Sequence, residues 1–187
     1  MNKTNFVTGA TGLVGSHLVF RLLSENERVI AAVRKTSKRE IVRRVFGYYT
    51  AEPDKLYDRI EWIECNLDDY ESVKPAVPQD SAVYHCAAMV SFAGADSSRV
   101  IDNNVRVTSN IVRACLEKGA GKLCHVSSTA AIGAGSSDAM VNESHIWSDE
   151  RSHSAYSLSK HLSEEEVWKG ISAGLKAVIV NPSVIIG

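Results

Sequence analysis

Short apolar runs alternate with segments of helical period along the whole chain. The runs are Asn5-Phe6-Val7, Val29-Ile30-Ala31-Ala32-Val33, Ile60-Glu61-Trp62-Ile63, Ala82-Val83-Tyr84, Leu123-Cys124-His125-Val126 and Ala177-Val178-Ile179-Val180. Most are continuous rather than alternating, the pattern of strands covered on both faces. Between them, apolar positions recur at helical spacing, most clearly over 13–24, 100–118 and 155–173. Alternating strand and helix predict βαβ units with right-handed crossovers and a parallel sheet. Six such strands with a glycine-rich first turn predict an α/β, doubly wound (Rossmann) fold with strand order 3-2-1-4-5-6.

Two stretches interrupt this pattern. Residues 46–59, with Gly47, Tyr48, Tyr49 and Pro53, read as a helix end followed by a loop. Residues 129–154, with Gly133, Gly135, Ser136, Ser137 and Asp138, form a connection longer than most, and long ordered connections often carry function. The chain closes on the apolar run Pro182-Ser183-Val184-Ile185-Ile186-Gly187. That ending predicts that the chain is a fragment or lacks a C-terminal part.

Composition narrows the function classes. Of 187 residues, 44% are apolar and 23% charged, and 21 Lys+Arg against 22 Asp+Glu leave a net charge of −1. This describes a soluble globular domain rather than a nucleic-acid or membrane-surface binder, which would carry a positive field. No apolar run approaches the roughly 20 residues of a spanning helix. Met1-Asn2-Lys3-Thr4 does not open a signal peptide. Cys65, Cys86, Cys115 and Cys124 show no C-x-x-C spacing, so reduced, buried thiols and a cytoplasmic setting are expected. No histidine has the company of a metal ligand.

The first strand runs into Thr8-Gly9-Ala10-Thr11-Gly12-Leu13-Val14-Gly15. Glycines at 9, 12 and 15, placed after a strand and opening a helix, suit a phosphate cradle. Gly9 permits the tight turn, Gly12 lets backbone approach a pyrophosphate and Gly15 allows close helix–strand packing. The second strand ends without the Asp or Glu that would take a ribose 2′-hydroxyl, and Arg34-Lys35 follow. A guanidinium there suits the 2′-phosphate of NADP. NADP(H) is therefore expected over NAD(H). Lys38, Arg39, Arg43 and Arg44 are expected to form a solvated basic face.

Three further features converge. Tyr156-Ser157-Leu158-Ser159-Lys160 puts a phenol and an ammonium four residues apart on a helix, where the cation favours the phenolate and fits the phenol for acid–base work. Ser127-Ser128-Thr129 follows the fifth strand, at the edge where ligands bind; Ser127 reads as a cap or turn serine. His85-Cys86-Ala87-Ala88 follows the fourth strand, where small side chains let a ribose lie against backbone, and His85 alone reads as a hydrogen-bonded core residue.

With these motifs, Asn66-Leu67 and Asn103-Asn104-Val105, the chain resembles the extended short-chain dehydrogenases/reductases of the NAD-dependent epimerase/dehydratase superfamily. The run from Tyr156 to Glu164, then Trp168, then Asn181 to Gly187, is similar to dihydroflavonol-reductase-like carbonyl reductases, which implies that 1–187 is a dinucleotide-binding domain with its C-terminal substrate domain missing. The resemblance implies that Tyr156 is the catalytic acid–base, that Lys160 binds the nicotinamide ribose and tunes the phenol, and that Thr129 orients substrate. It implies cofactor contacts from Gly9, Thr11, Gly12, Leu13, Val14, Gly15, Arg34, Asn66, Leu67, Ala87, Ala88, Asn104, Lys160 and Pro182. Asn66 stands where the family usually has Asp, and keeps an amide oxygen as acceptor. Asn104 aligns with a helix asparagine of structural or relay role. Nucleotide-sugar 4,6-dehydratases carry Asp-Glu after the catalytic threonine; Ala130-Ala131 here argue against dehydration.

The expected activity is NADP(H)-dependent hydride transfer to or from a small-molecule carbonyl or alcohol. A nucleotide-sugar epimerase with bound NAD(P) and a non-catalytic NADP(H) sensor are the alternatives. Substrate specificity is expected in 89–97 and 129–154. A homodimer through the helices of 100–118 and 155–173 would follow the family's habit.

Overall fold

The computed structural model describes residues 3–90, 96–133, 142, 147 and 153–186. Six parallel strands, β1 (Thr4–Thr8), β2 (Arg28–Val33), β3 (Glu61–Glu64), β4 (Ala82–His85), β5 (Lys122–Val126) and β6 (Ala177–Val180), form one sheet in the order 3-2-1-4-5-6. The helices are α1 (Leu13–Ser24), α2 (Glu40–Phe46), α3 (Pro53–Tyr57), α4 (Tyr70–Ala76), α5 (Ser97–Lys118) and α6 (Ala155–Ser172). The expected Rossmann sheet is therefore present, with its switch point between β1 and β4.

Two apolar clusters lie on the faces of the sheet. Val7, Val19, Leu23, Val29, Val42 and Phe46 pack α1 and α2 on one side, with Tyr57 of α3 against them. Phe6, Val83, Ile111, Cys115, Leu123 and Val167 pack α5 and α6 on the other, with α4 contributing Val73. Full burial of such a side chain stabilises by roughly 1.5–3 kcal/mol. α5 ends at Gly119, whose φ of +67° and N–H bonds to the carbonyls of Cys115 and Leu116 close the helix in the left-handed manner glycine favours.

The structure departs from the sequence expectations in two elements. Residues 46–59 contain a short helix, α3, opened by Pro53 at its first turn, where a missing N–H costs nothing. β6 is not covered on both faces: Ala177 and Ile179 pack against the α5/α6 core, while Val178 and Val180 face outward and are exposed. Most of the connection 129–154, and 91–95 within 89–97, lies outside the described residues.

Candidate active site

The carboxyl ends of β1 to β4 open onto a cleft of about 490 Å³ at the switch point. Small-molecule and cofactor sites fall in the same range, roughly 300–1,000 Å³. The glycine turn forms its floor. Gly9 has φ +67°, and a Cβ there would stand 2.7 Å from the backbone nitrogen of Ala87, so β1 and the exit of β4 meet closer than any side chain permits. A Cβ on Gly15 would overlap the Gly9 carbonyl, standing 2.8 Å from its carbon, which confirms close helix–strand packing. α1 starts at Gly12 with no side-chain cap and no acidic residue in its first turn, so its N–H groups and positive dipole end face the turn unopposed. A glycine turn whose backbone packs too closely for side chains, at a helix start with no side-chain cap, fits a pyrophosphate.

Of the expected cofactor residues, Gly9, Thr11, Gly12, Arg34, Asn66, Leu67, Ala87, Ala88 and Asn104 line this one cleft. Leu13, Val14 and Gly15 lie in the adjoining first turn of α1, and Lys160 and Pro182 do not line the cleft. Arg34 is exposed at the rim, and its backbone N–H donates to the Ser37 hydroxyl at 3.0 Å while its carbonyl accepts from the Ser37 N–H at 2.9 Å. Among the basic residues that follow, Lys38, Arg43 and Arg44 are exposed as expected, Arg43 in a surface pair with Asp54, while Arg39 is half-buried over the Trp62 ring. The Asn66 amide oxygen already accepts from the Asp68 N–H at 3.3 Å, bending the strand exit into an Asx turn.

The opposite wall uses residues to which the sequence reading assigned no role. Arg99, Asn103 and Arg106 line the cleft from α5 at i, i+4 and i+7, a spacing that places them on one helix face. Asp68 holds two of them, accepting from Asn103 Nδ2 at 2.8 Å and from Arg106 at 2.9 Å. Ser37 joins them, and Met89, also in the lining, opens the segment 89–97 expected to carry specificity. The helical spacing on α5 was a usable signal; Ser37 carries none.

A chain of side-chain bonds runs beneath the floor. The Thr108 hydroxyl donates to the Asn104 carbonyl at 2.8 Å, so toward His85 Nε2, 3.2 Å away, it accepts. That fixes the Nε2–H tautomer and leaves Nδ1 to accept from the Thr8 hydroxyl at 2.8 Å. Thr8 in turn accepts from the Ala87 N–H at 3.3 Å. Burial, with Lys160 nearby, lowers His85 to about 3, so the ring is a neutral linker, as its reading as a hydrogen-bonded core residue expected. Asn104 braces the site: its Oδ1 accepts from the Met89 N–H at 2.7 Å, while Nδ2 donates to Met89 O and Ser159 Oγ, both at 3.0 Å.

Tyr156 and Lys160 sit in the first turns of α6, whose N-cap Ser154 accepts from the Ser157 N–H. Three α6 side chains tie this end of the helix to the segment carrying Thr129. Lys160 Nζ donates to the Val126 carbonyl at 2.8 Å, Ser157 Oγ to Ala130 O at 2.5 Å, and His161 Nδ1 meets Ala131 O at 3.3 Å. Lys160 is 3% exposed, and burial lowers it to about 8 against the raising pull of Glu164 and Cys86. Thr129 opens a single 3₁₀ turn (Thr129–Ala131) and is exposed. The capping role expected of Ser127 belongs to Ser128, which accepts from the Ala130 N–H; the Ser127 hydroxyl is buried without a partner, because the turn begins one residue later. Among the described residues no cluster of His, Cys, Asp and Glu could hold a metal, and no helix is long and apolar enough to cross a membrane.

The cysteines are free, Cys65 and Cys115 buried and the other two half-buried. Burial pushes Cys86 and Cys115 up to about 12, which keeps both as inert thiols.

The chain is similar to known proteins. A protein of Methylococcus capsulatus described as sterol demethylase protein B is 32% identical over 184 residues, 98% of this chain and 52% of its own length. The bifunctional dihydroflavonol 4-reductase/flavanone 4-reductase of Pyrus communis is 28% identical over 191 residues, covering 97% of this chain and 53% of its own. The crystal structure of gox2253 superposes with a TM-score of 0.80 at 34% identity, over 97% of this chain and 51% of that one. The chain thus spans about half the length of the curated relatives it matches. The NAD dependent epimerase/dehydratase family model matches residues 5–187, and with the cleft, the glycine turn and the α6 residues in place, the chain belongs to that family.

Proposed function

We propose that the chain carries the cofactor site and acid–base residues of an NADP(H)-dependent oxidoreductase acting on a carbonyl or alcohol of a small molecule. The observation that supports this best is the seating of α6. Bonds from Ser157, Lys160 and His161 to residues 126–131 bring the helix of Tyr156 beside the turn of Thr129, at the same sheet edge as the cleft. Gly9, Gly12 and the start of α1 would hold the pyrophosphate, and Arg34 with Ser37 the 2′-phosphate. A bound dihydronicotinamide supplies a hydride to the carbonyl carbon. In the reducing direction Tyr156 gives its phenolic proton to the carbonyl oxygen, and Thr129 donates a hydrogen bond to that oxygen. Lys160, charged below about pH 8, stands one turn along the same helix, and solvent returns the proton to Tyr156.

Fluorescence titration should show NADPH binding more tightly than NADH, and Arg34→Ala should erase the difference. Tyr156→Phe should lower carbonyl reduction by roughly 10²-fold or more while sparing NADPH affinity. Equal affinity for the two nucleotides would reject the phosphate assignment, and near-normal turnover in the phenylalanine variant would reject the acid–base. Interconversion of a nucleotide sugar without net NADPH consumption would favour the epimerase reading. NADPH binding with no turnover on any carbonyl would favour the sensor.

A further inference from the structure

Asn181, the first residue after β6, donates through Nδ2 to the Ser128 carbonyl at 3.0 Å and to Glu164 Oε1 at 2.6 Å. The backbone explains why a side chain acts there. The N–H groups of Ser127 and Thr129 donate to the carbonyls of Val180 and Pro182 at 2.9 and 3.0 Å, carrying the β5–β6 ladder past both strands. Pro182 has no N–H to donate in return, so backbone alone cannot complete the rungs. The Asn181 carboxamide adds a side-chain cross-link one residue along, at the Ser128 carbonyl, and extends it to α6.

Glu164 lies four residues after Lys160 and eight after Tyr156, so the three share a helix face. The titratable groups around Lys160 are Tyr156 and Glu164 on its own helix, His85 and Cys86 from β4 and its exit, and His125 from β5. Burial keeps both imidazoles uncharged and the Cys86 thiol protonated. Among the described residues, Glu164 is thus the anionic group that opposes the desolvation of Lys160 at neutral pH.

We propose that Glu164 and Asn181 are a positioning pair for the reacting centre: their hydrogen bond fastens the Thr129 turn to α6 and fixes the Glu164 carboxylate one helical turn beyond Lys160, on the same helix face. This rests on the reductase reading, in which Thr129 and Lys160 serve the same reaction, but its test needs no turnover. In the complete chain with ¹³C-labelled lysine, the Lys160 Cε resonance, assigned by its loss in Lys160→Arg, is titrated from pH 6 to 10.

Glu164→Gln keeps an oxygen for Asn181 but removes the charge, and should lower the Lys160 midpoint by about half a unit to one unit. Asn181→Ala keeps the charge but frees the turn, and should raise amide hydrogen exchange at Thr129 by up to about tenfold. An unchanged midpoint in the first variant, or unchanged exchange in the second, overturns the proposal. If Asn181→Ala loses its helical circular dichroism, Asn181→Asp, which cannot donate, must show the same rise in exchange. A chain that passes both tests yet reduces no carbonyl would reject the reductase reading and leave the pair standing.

Discussion

Two buried histidines on neighbouring strands show how partners decide the worth of a residue. His85 has both ring nitrogens bonded, whereas both nitrogens of His125 lack a partner although the rings lie 5.2 Å apart. An unsatisfied buried polar group costs about 1–3 kcal/mol. His125→Leu, close in size and with nothing to satisfy, should therefore raise the thermal midpoint by roughly 2–8 °C. Acid should expose the same feature. The folded chain holds both rings neutral, with His85 lowered to about 3 and His125 well below its ordinary value, while in the unfolded chain each protonates near 6.5. The unfolded state then binds more protons below pH 6.5, so stability is full above that value and falls as pH drops toward 3. Asp54, Glu61 and Glu117, all lowered, titrate under pH 4.5, and Lys160 is charged in both states below pH 7. Urea unfolding between pH 6.5 and 5 should accordingly show a loss approaching about 1.4 kcal/mol per pH unit for each histidine, halved in His125→Leu.

At the scale of elements, two glycines test helix seating. Alanine favours a helix over glycine by about 1 kcal/mol, so on propensity alone Gly15→Ala and Gly170→Ala should stabilise α1 and α6. The neighbours reverse the sign. A Cβ at Gly170 would stand 2.5 Å from Val112 Cγ1, a stiff branched side chain on α5, and at Gly15 it would meet backbone of β1's exit. Overpacking costs about 1–3 kcal/mol, and Gly15→Ala, with no side chain to yield, should lose more stability and also NADPH binding. Calorimetry and a fluorescence titration check both. The same elements mark what could be read beforehand. Strand order and the ends of α1 followed from long apolar runs and a glycine turn. Helix α3 was missed because five residues are too few for a period to show, and Pro53 looked like loop punctuation. Glu164 and Asn181, though part of the runs that carry the resemblance, were given no role because their contact joins residues 17 apart on different elements. Ser128 displaced Ser127 as the cap because one residue of register separates them, finer than any pattern of apolar positions resolves.

Across the whole molecule the sheet is unevenly clothed. The α5/α6 side is continuous, while on the other face Val178 and Val180 of the edge strand remain exposed, with Val184 and Ile186 beyond them. An edge strand with apolar residues facing water invites pairing between molecules. The chain should self-associate as its concentration rises, and Val180→Lys should shift light scattering toward the monomer; an unaltered profile would show that the face is harmless. The hydroxyl–imidazole chain from Thr8 through His85 to Thr108 has a different consequence at this scale. It joins β1, β4 and α5 by contacts that involve no ligand, so the glycine turn holds its shape before a dinucleotide arrives. Little ordering entropy is then lost on capture, and the pocket meets its guest preorganised.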